Sequence, residues 1–315
     1  MVRPRGTPAY LFAVQIVTGI LLAFYYEASP ATAWDSVRRI TDEAAFGWYI
    51  RGIHKWAATL MVVAVILHQM RVFFTGAYRK PREINWMVGM VHPAVHPGAR
   101  VHGVQPRVRA AELLGATVGA NIADSVPLVG GFMKKLMLAG DSYNQNTTSR
   151  FFVLHAAVLP VTLGLLVMIH IAIIRIQGVT EMKFDDEKEQ ETKYFNFFPD
   201  HMMTELILGL VLMVLLTTLA TILPPTMGPR ANPIETPEVI KPEWYFYVAF
   251  RWLKLFPGTV AVLSMGFVVF LMFLWPFVDA GIRKVRKGSE LSVWIGIAAV
   301  AAILGLTIWE AAVAH

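Results

Sequence analysis

Six apolar runs, at about residues 9–26, 50–74, 151–175, 203–223, 259–279 and 292–313, are each long enough to cross a bilayer as a helix. Hydrocarbon offers no partner to backbone N–H and C=O groups, so such runs are expected to fold as helices that satisfy their own ladders. Hydrophobic residues make up 56% of the 315 positions, charged ones only 16%, and the mean hydropathy is +0.52. The predicted fold is therefore all-α, a polytopic transmembrane helix bundle. The first run follows Arg3 and Arg5 and precedes Ala28-Ser29-Pro30-Ala31, as a signal peptide can. Its length and Gln15 favour a span.

The formal charge of +6 does not point to nucleic acid, because the Lys and Arg residues gather in short loops between the apolar runs. Arg71, Arg79, Lys80 and Arg82 lie in one such loop, Arg283, Lys284, Arg286 and Lys287 in another. By the positive-inside rule both are cytoplasmic, and so is the N-terminus. The expected location is a bacterial cytoplasmic membrane. The sequence has no cysteine, which excludes disulfides, iron–sulfur ligation and thioether attachment of haem by this chain.

Two of the runs carry histidine pairs, His54 with His68 and His155 with His170. An intramembrane imidazole is costly and by default has a paired or functional role. A single one could be a proton relay or a hydrogen-bonded packing residue. Separations of 14 and 15 residues are close to four helical turns, which places each pair on one helix face with its members about 21–23 Å apart. If the two helices lie side by side, the imidazoles form opposed couples near the two surfaces of the bilayer. Bis-imidazole ligation of two stacked haems explains the number and the register together.

That pairing requires both histidine helices to run in the same direction, so a further crossing must lie between them. Residues 91–112 do not read as one: they hold His92, His96, His102, Pro93, Pro97, Pro106, Arg100, Arg107 and Arg109. His92 and His96 are four apart, but a proline follows each, against the regular helix that a metal pair would need.

Specific motifs accompany the histidines. They are Gln15 with Thr18-Gly19, Arg51-Gly52-Ile53-His54, His68-Gln69-Met70-Arg71, Arg150-Phe151-Phe152-Val153-Leu154-His155, and Lys241-Pro242-Glu243-Trp244-Tyr245, with Asn232-Pro233 and Thr236-Pro237 upstream of the last. On these residues the chain resembles cytochrome b of the quinol-oxidising bc-type complexes. The likeness covers nearly the whole chain outside 91–112 and the first few residues. The 15-residue interval and Ile174-Arg175-Ile176-Gln177-Gly178 look most like the plastoquinol-oxidising branch, in which the protein is split after four helices. This chain resembles the two parts fused into seven helices: 1–178 would be a di-haem four-helix core, with its third helix at about 86–114, and 179–315 a three-helix part bearing the Pro-Glu-Trp-Tyr loop. The covalent extra haem of that branch uses a cysteine near the N-terminus, which is lacking here.

The resemblance implies two non-covalent haems b. His54 and His155 would ligate the iron of the low-potential haem near the outer face, His68 and His170 that of the high-potential haem near the cytoplasm. Arg51 and Arg71 would pair with propionates, and Gly19 would let a porphyrin approach the backbone, although small-residue helix packing also fits a glycine there. Pro160 is expected to kink the fourth span. Glu243 would be the base of the outer quinol site, or alternatively a helix cap, with Tyr245 and Trp244 positioning it. Val129-Gly130-Gly131 resembles the surface helix that walls this site. Asp200 and His201 could deliver protons to quinone on the cytoplasmic side or simply start a helix. The implied activity is that of a quinol:cytochrome c oxidoreductase subunit, with quinol and quinone as substrates and electron transfer coupled to proton translocation. A Rieske iron–sulfur protein, a c-type cytochrome and lipid would be partners, in a homodimeric complex. Two readings stay open beside it: a di-haem membrane anchor of a dehydrogenase or hydrogenase, and a proton-coupled transporter.

The missing crossing has a specific explanation in the family's pattern, which places Gly-Phe-Thr-Gly-Tyr in the third helix and a Tyr-Trp pair near its end. Codons for Arg100–Val104, read one base later, can encode the first motif, and codons for Arg109–Leu114, shifted in the same direction, can encode Glu-Gln-Leu-Ser-Tyr-Trp. Residues 91–114 are thus expected to be a reading-frame artefact between two compensating single-base errors. Peptide mass spectrometry across this stretch is expected to give the shifted motifs; peptides matching His92 to Arg109 as written would refute the frame error.

Overall fold

The structure is a computed structural model and describes residues 6–92, 110–178, 197–227 and 241–313. Thirteen α-helices and no strand occur among the described residues. In order they are α1 (Thr7–Ala23), α2 (Ala33–Asp42), α3 (Gly47–Phe74), α4 (83–92), α5 (Ala110–Asp124), α6 (Gly130–Leu138), α7 (Gln145–Val153), α8 (Leu159–Gln177), α9 (Met202–Ile222), α10 (Tyr247–Leu255), α11 (Gly258–Phe273), α12 (Trp275–Val285) and α13 (Leu291–Ala312). A π turn at Leu154–Val158 joins α7 to α8 without a break. Four helices are long and apolar enough to span: Gly47–Phe74, the continuous Gln145–Gln177, Phe198–Ile222 and Leu291–Ala312. The chain forms two compact units.

The first unit comprises residues 1–26, 38–77 and 171–227. Its core is the seam of α1, α3 and α9, where Leu11, Ile53, Ala57, Met61, Leu216 and Ala220 are buried. Gly52 is required there, because a Cβ would come within 2.8 Å of the Ala220 Cβ. Two side chains of α3 fasten this seam through polar bonds, Tyr49 to the Thr217 hydroxyl at 2.8 Å and the Trp56 indole to the Leu223 carbonyl at 2.9 Å. The remaining surface of α9, including Leu206, Leu210, Val211 and Val214, is exposed and apolar, as a lipid-facing surface must be.

The second unit comprises 27–37, 78–170 and 228–315. Asn144 starts α7 with a capping box: its side chain accepts from the Asn146 and Thr147 backbone amides while the Thr147 hydroxyl accepts from the Asn144 N–H. The run predicted as one span at 259–279 is in fact α11 and α12, bent by 67° at Leu274. The cause is Pro276, which has no N–H to give the Met272 carbonyl four residues back. The Trp86 indole of α4 donates to that carbonyl instead, at 2.9 Å.

Beyond the bend Asp279 is buried, taking a 2.8 Å hydrogen bond from Arg79 Nε and another from the Ser292 hydroxyl. Burial alone would depress the Arg79 pKa, but the hydrogen bond and charge of Asp279 outweigh it and the net direction is upward.

Between the histidine spans the described chain holds α4 and, from residue 110, α5. Of the stretch 91–114, expected to be a reading-frame artefact, residues 93–109 lie outside the described residues.

Candidate haem and quinol sites

In the first unit α1 and α3 set the environment of His54. The Thr18 hydroxyl has one proton, and it donates this to the Val14 carbonyl one turn back, at 2.6 Å. Its 2.9 Å contact with His54 Nδ1 must then run the other way, with the imidazole as donor. That fixes the proton on Nδ1 and leaves Nε2 with the lone pair, the tautomer an imidazole needs to bind a metal. Gln15 adds a 2.6 Å hydrogen bond from its amide to the His54 carbonyl. One turn of α1 thus grips the helix backbone and the ring together.

Gly19 completes this arrangement. A Cβ at Gly19 would lie 3.3 Å from His54 Cε1, tighter than ordinary van der Waals contact. The second unit repeats the motif: a Cβ at Gly89 of α4 would lie 3.4 Å from Cε1 of His170. Gly89 escapes a sequence reading because it sits next to the stretch whose composition is wrong for a span; its Trp86-x-x-Gly89 setting is the available signal. His92, one turn further on, stands edge-on to His170 with ring centroids 5.6 Å apart. The residues present fit haem in these respects: imidazoles within spans, one with its tautomer fixed, and two beside bare backbone that a side chain would fill.

His155 lies within the π turn, whose Leu159 N–H reaches back to the Leu154 carbonyl. A π turn holds one residue more than an α turn. It therefore absorbs the extra residue of the second pair, and the 15-residue interval keeps the facing of a 14-residue one. The distortion expected from Pro160 is this bulge.

The two arginines differ. Arg71 is exposed, and its guanidinium engages no partner in the described residues. Arg51, expected at a propionate, donates to the carbonyls of Pro225 (2.9 Å) and Thr226 (3.4 Å) beyond α9 and to the Thr41 hydroxyl (3.3 Å). It is neither a solvated interfacial residue nor free of structural duty.

Glu243 is exposed, in extended conformation, and its carboxylate makes no capping hydrogen bond to the turn Trp244–Phe246 that it precedes. The cap reading of this residue loses its basis. Tyr245 is half-buried between the rings of Trp244 and Phe246. Downstream, Leu253 of α10 and Gly258 and Val262 of α11 face Val118 and Ile122 of α5 across an open, mainly apolar cavity of about 220 Å³, to which Asn121 and Ser125 add polar edges. The turn from α5 into α6 closes on Gly130, where a Cβ would collide with the Asp124 carbonyl. Asp200 and His201 are exposed at the start of α9.

The chain is similar to known proteins over most of its length. Residues 6–178 match the family described as cytochrome b/b6/petB, and residues 230–315 match cytochrome b(C-terminal)/b6/petD. The chain belongs to the cytochrome b family. It is 31% identical over 306 residues to the cytochrome bc complex cytochrome b subunit of Chlorobaculum thiosulfatiphilum, covering 95% of this chain and 71% of that one. Over 177 residues, 56% of this chain, it is 41% identical to cytochrome b6 of Heliobacterium mobile, of which 83% is covered. A structure of a hyperthermophilic respiratory Complex III shares the fold, with a TM-score of 0.79 at 23% identity, over 98% of this chain and 90% of that one.

For this cytochrome b, the Gly19–His54 contact gives a direct test. Gly19→Leu is expected to lower b-type absorbance per polypeptide, because the side chain would displace the imidazole. Gly266→Leu, at a helix position with open space around it, is the control and should leave the spectrum unchanged. Equal absorbance in both variants would remove Gly19 from the site.

Proposed function

We propose that this chain is the cytochrome b subunit of a quinol-oxidising bc-type complex, an oxidoreductase of the bacterial cytoplasmic membrane with its N-terminus in the cytoplasm. The observation that carries the reading is the repeated juxtaposition of glycine and imidazole, Gly19 with His54 and Gly89 with His170, in a chain of the cytochrome b family. His54 with His155, and His68 with His170, would each hold one haem b, with Gly19 and Gly89 leaving room for the macrocycles. Bound there, the two haems supply a one-electron path across the hydrocarbon. Arg71, exposed and one turn from His68, is free to meet a propionate; Arg51 would share its guanidinium between a propionate and the Pro225 carbonyl.

At the outer surface Glu243 would take a proton from the quinol hydroxyl. An exposed carboxylate unencumbered by a cap can both accept a proton and release it to water, as a base that must turn over requires. The apolar cavity along α10 and α11 suits the hydrocarbon of a quinol, with Asn121 and Ser125 as the polar contacts near it. Of the two electrons, one would pass to a Rieske iron–sulfur protein and on to a c-type cytochrome. The other would leave for a quinone on the cytoplasmic side, with Asp200 and His201, exposed at the start of α9, supplying its protons. A homodimeric complex is part of the proposal. The family match at 230–315 includes Pro242-Glu243-Trp244-Tyr245 and favours this reading over a dehydrogenase anchor or a transporter.

Two measurements test it. In a redox titration of purified complex, His54→Leu or His155→Leu should abolish the low-potential b component, and retention of both components would sink the ligand assignment. Glu243→Gln should cut quinol turnover by roughly 100-fold or more, the scale of lost general-base catalysis, with haem content unchanged. Wild-type turnover at saturating quinol across pH 6–8 would remove Glu243 as the base.

A further inference from the structure

The segment that carries Glu243 is tied to the end of α13 at two places, one on each side of that residue. Lys241, two residues before it, donates from Nζ to the Val313 carbonyl at 2.7 Å and to the Glu310 carbonyl at 3.4 Å. These are terminal carbonyls of α13, where the helix dipole favours a cation. On the far side, within α10, Arg251 Nη1 lies 3.6 Å from Glu310 Oε2, and Lys254 Nζ lies 3.4 Å from Oε1. The Arg251 guanidinium also stacks on the Trp309 ring, 3.7 Å from its centroid. Glu310 is fully buried, and Arg251 keeps only 15% of its side-chain surface.

A carboxylate is costly to bury, and these two cations offset the cost. Glu243 itself takes no part in the contacts and stands exposed between the two ties. A charged pair buried at the end of one helix is an expensive means of packing α10, for which apolar side chains would serve. What it adds is register: the planar guanidinium, fixed between a carboxylate and an indole face, sets the rotation of α10 and with it the position of the residues that lead into it.

We propose that the end of α13 positions the outer quinol site, with the Glu310 carboxylate acting as a positioning residue through Arg251 and Lys254 while the Glu310 and Val313 carbonyls hold Lys241, so that the Glu243 segment is fixed from both sides. This rests on the reading of Glu243 as the quinol base. Displacing a reacting group by about 1 Å can cost up to about 100-fold in rate, so a loosened clamp is expected to lower turnover while leaving substrate affinity in place.

The test uses the assembled complex in membranes, with quinol turnover, KM and b-haem content measured in parallel. Glu310→Gln is expected to lower turnover at saturating quinol by about tenfold, within the range that mispositioning produces, with KM and haem content at wild-type values. Glu310→Asp, which keeps the charge, should recover most of the loss, whereas a role in packing alone would not distinguish Asp from Gln in this way. Lys241→Met removes the tie before Glu243 without burying an unpaired charge, and it should show the same fall in turnover at constant KM; it decides the matter if Glu310→Gln does not assemble. Wild-type turnover in Lys241→Met and in any assembled Glu310→Gln complex would overturn the clamp. Glu243→Gln, run beside them, separates the two ideas. A slow Glu243→Gln with a normal Glu310→Gln removes only the clamp, and the converse removes Glu243 as the base while the clamp stands.

Discussion

The single proton of the Thr18 hydroxyl decides what His54 can be. Once that proton is given to the Val14 carbonyl, the imidazole must donate from Nδ1, and the ring is left with a lone pair at Nε2. Within a span no water competes for these groups, so the choice of tautomer persists for as long as α1 and α3 stay packed. The buried seam of Leu11, Ile53, Ala57, Leu216 and Ala220 keeps them so. Packing energy is in this way converted into the chemistry of one nitrogen atom, with Gln15 anchoring the same turn through the backbone.

Much of this organisation is legible in the sequence because a bilayer imposes a simple rule on length and polarity. The histidine spans and the runs that became α9 and α13 follow directly from it, and the four helices long enough to cross coincide with predicted runs. The histidine register is legible for a related reason, since 3.6 residues per turn makes an interval of four turns recognisable in a string of letters. Local chemistry that depends on a distant partner is not legible. Pro276 can be seen in the sequence, yet the break it makes at Leu274 is sustained by an indole from residue 86, and nothing near 276 announces that partner.

The same limit explains Arg51 and Glu310. A basic residue three positions before an intramembrane histidine suggests a propionate partner, but the carbonyls of Pro225 and Thr226, some 170 residues later, are already within its reach. Glu310 in an apolar run looks like a flaw in the span until Arg251 and Lys254 are brought to it by the fold. Gly89 is a different case: its environment is regular, but it adjoins the stretch of prolines and arginines that obscures the third crossing.

The π turn at Leu154–Val158 separates two properties that a plain α-helix ties together. In an uninterrupted helix, inserting one residue between two side chains rotates one relative to the other by about 100°. Here the bulge takes up the additional residue, so the helix grows in length while the faces of His155 and His170 stay aligned. Loss of one residue inside the bulge would simply return it to α-helical winding, whereas loss of one anywhere from Leu159 to Ile169 would swing an imidazole away from its fellow. The turn thus serves as a tolerance joint, the one place in this span where the count of residues can change without a change in what the helix presents.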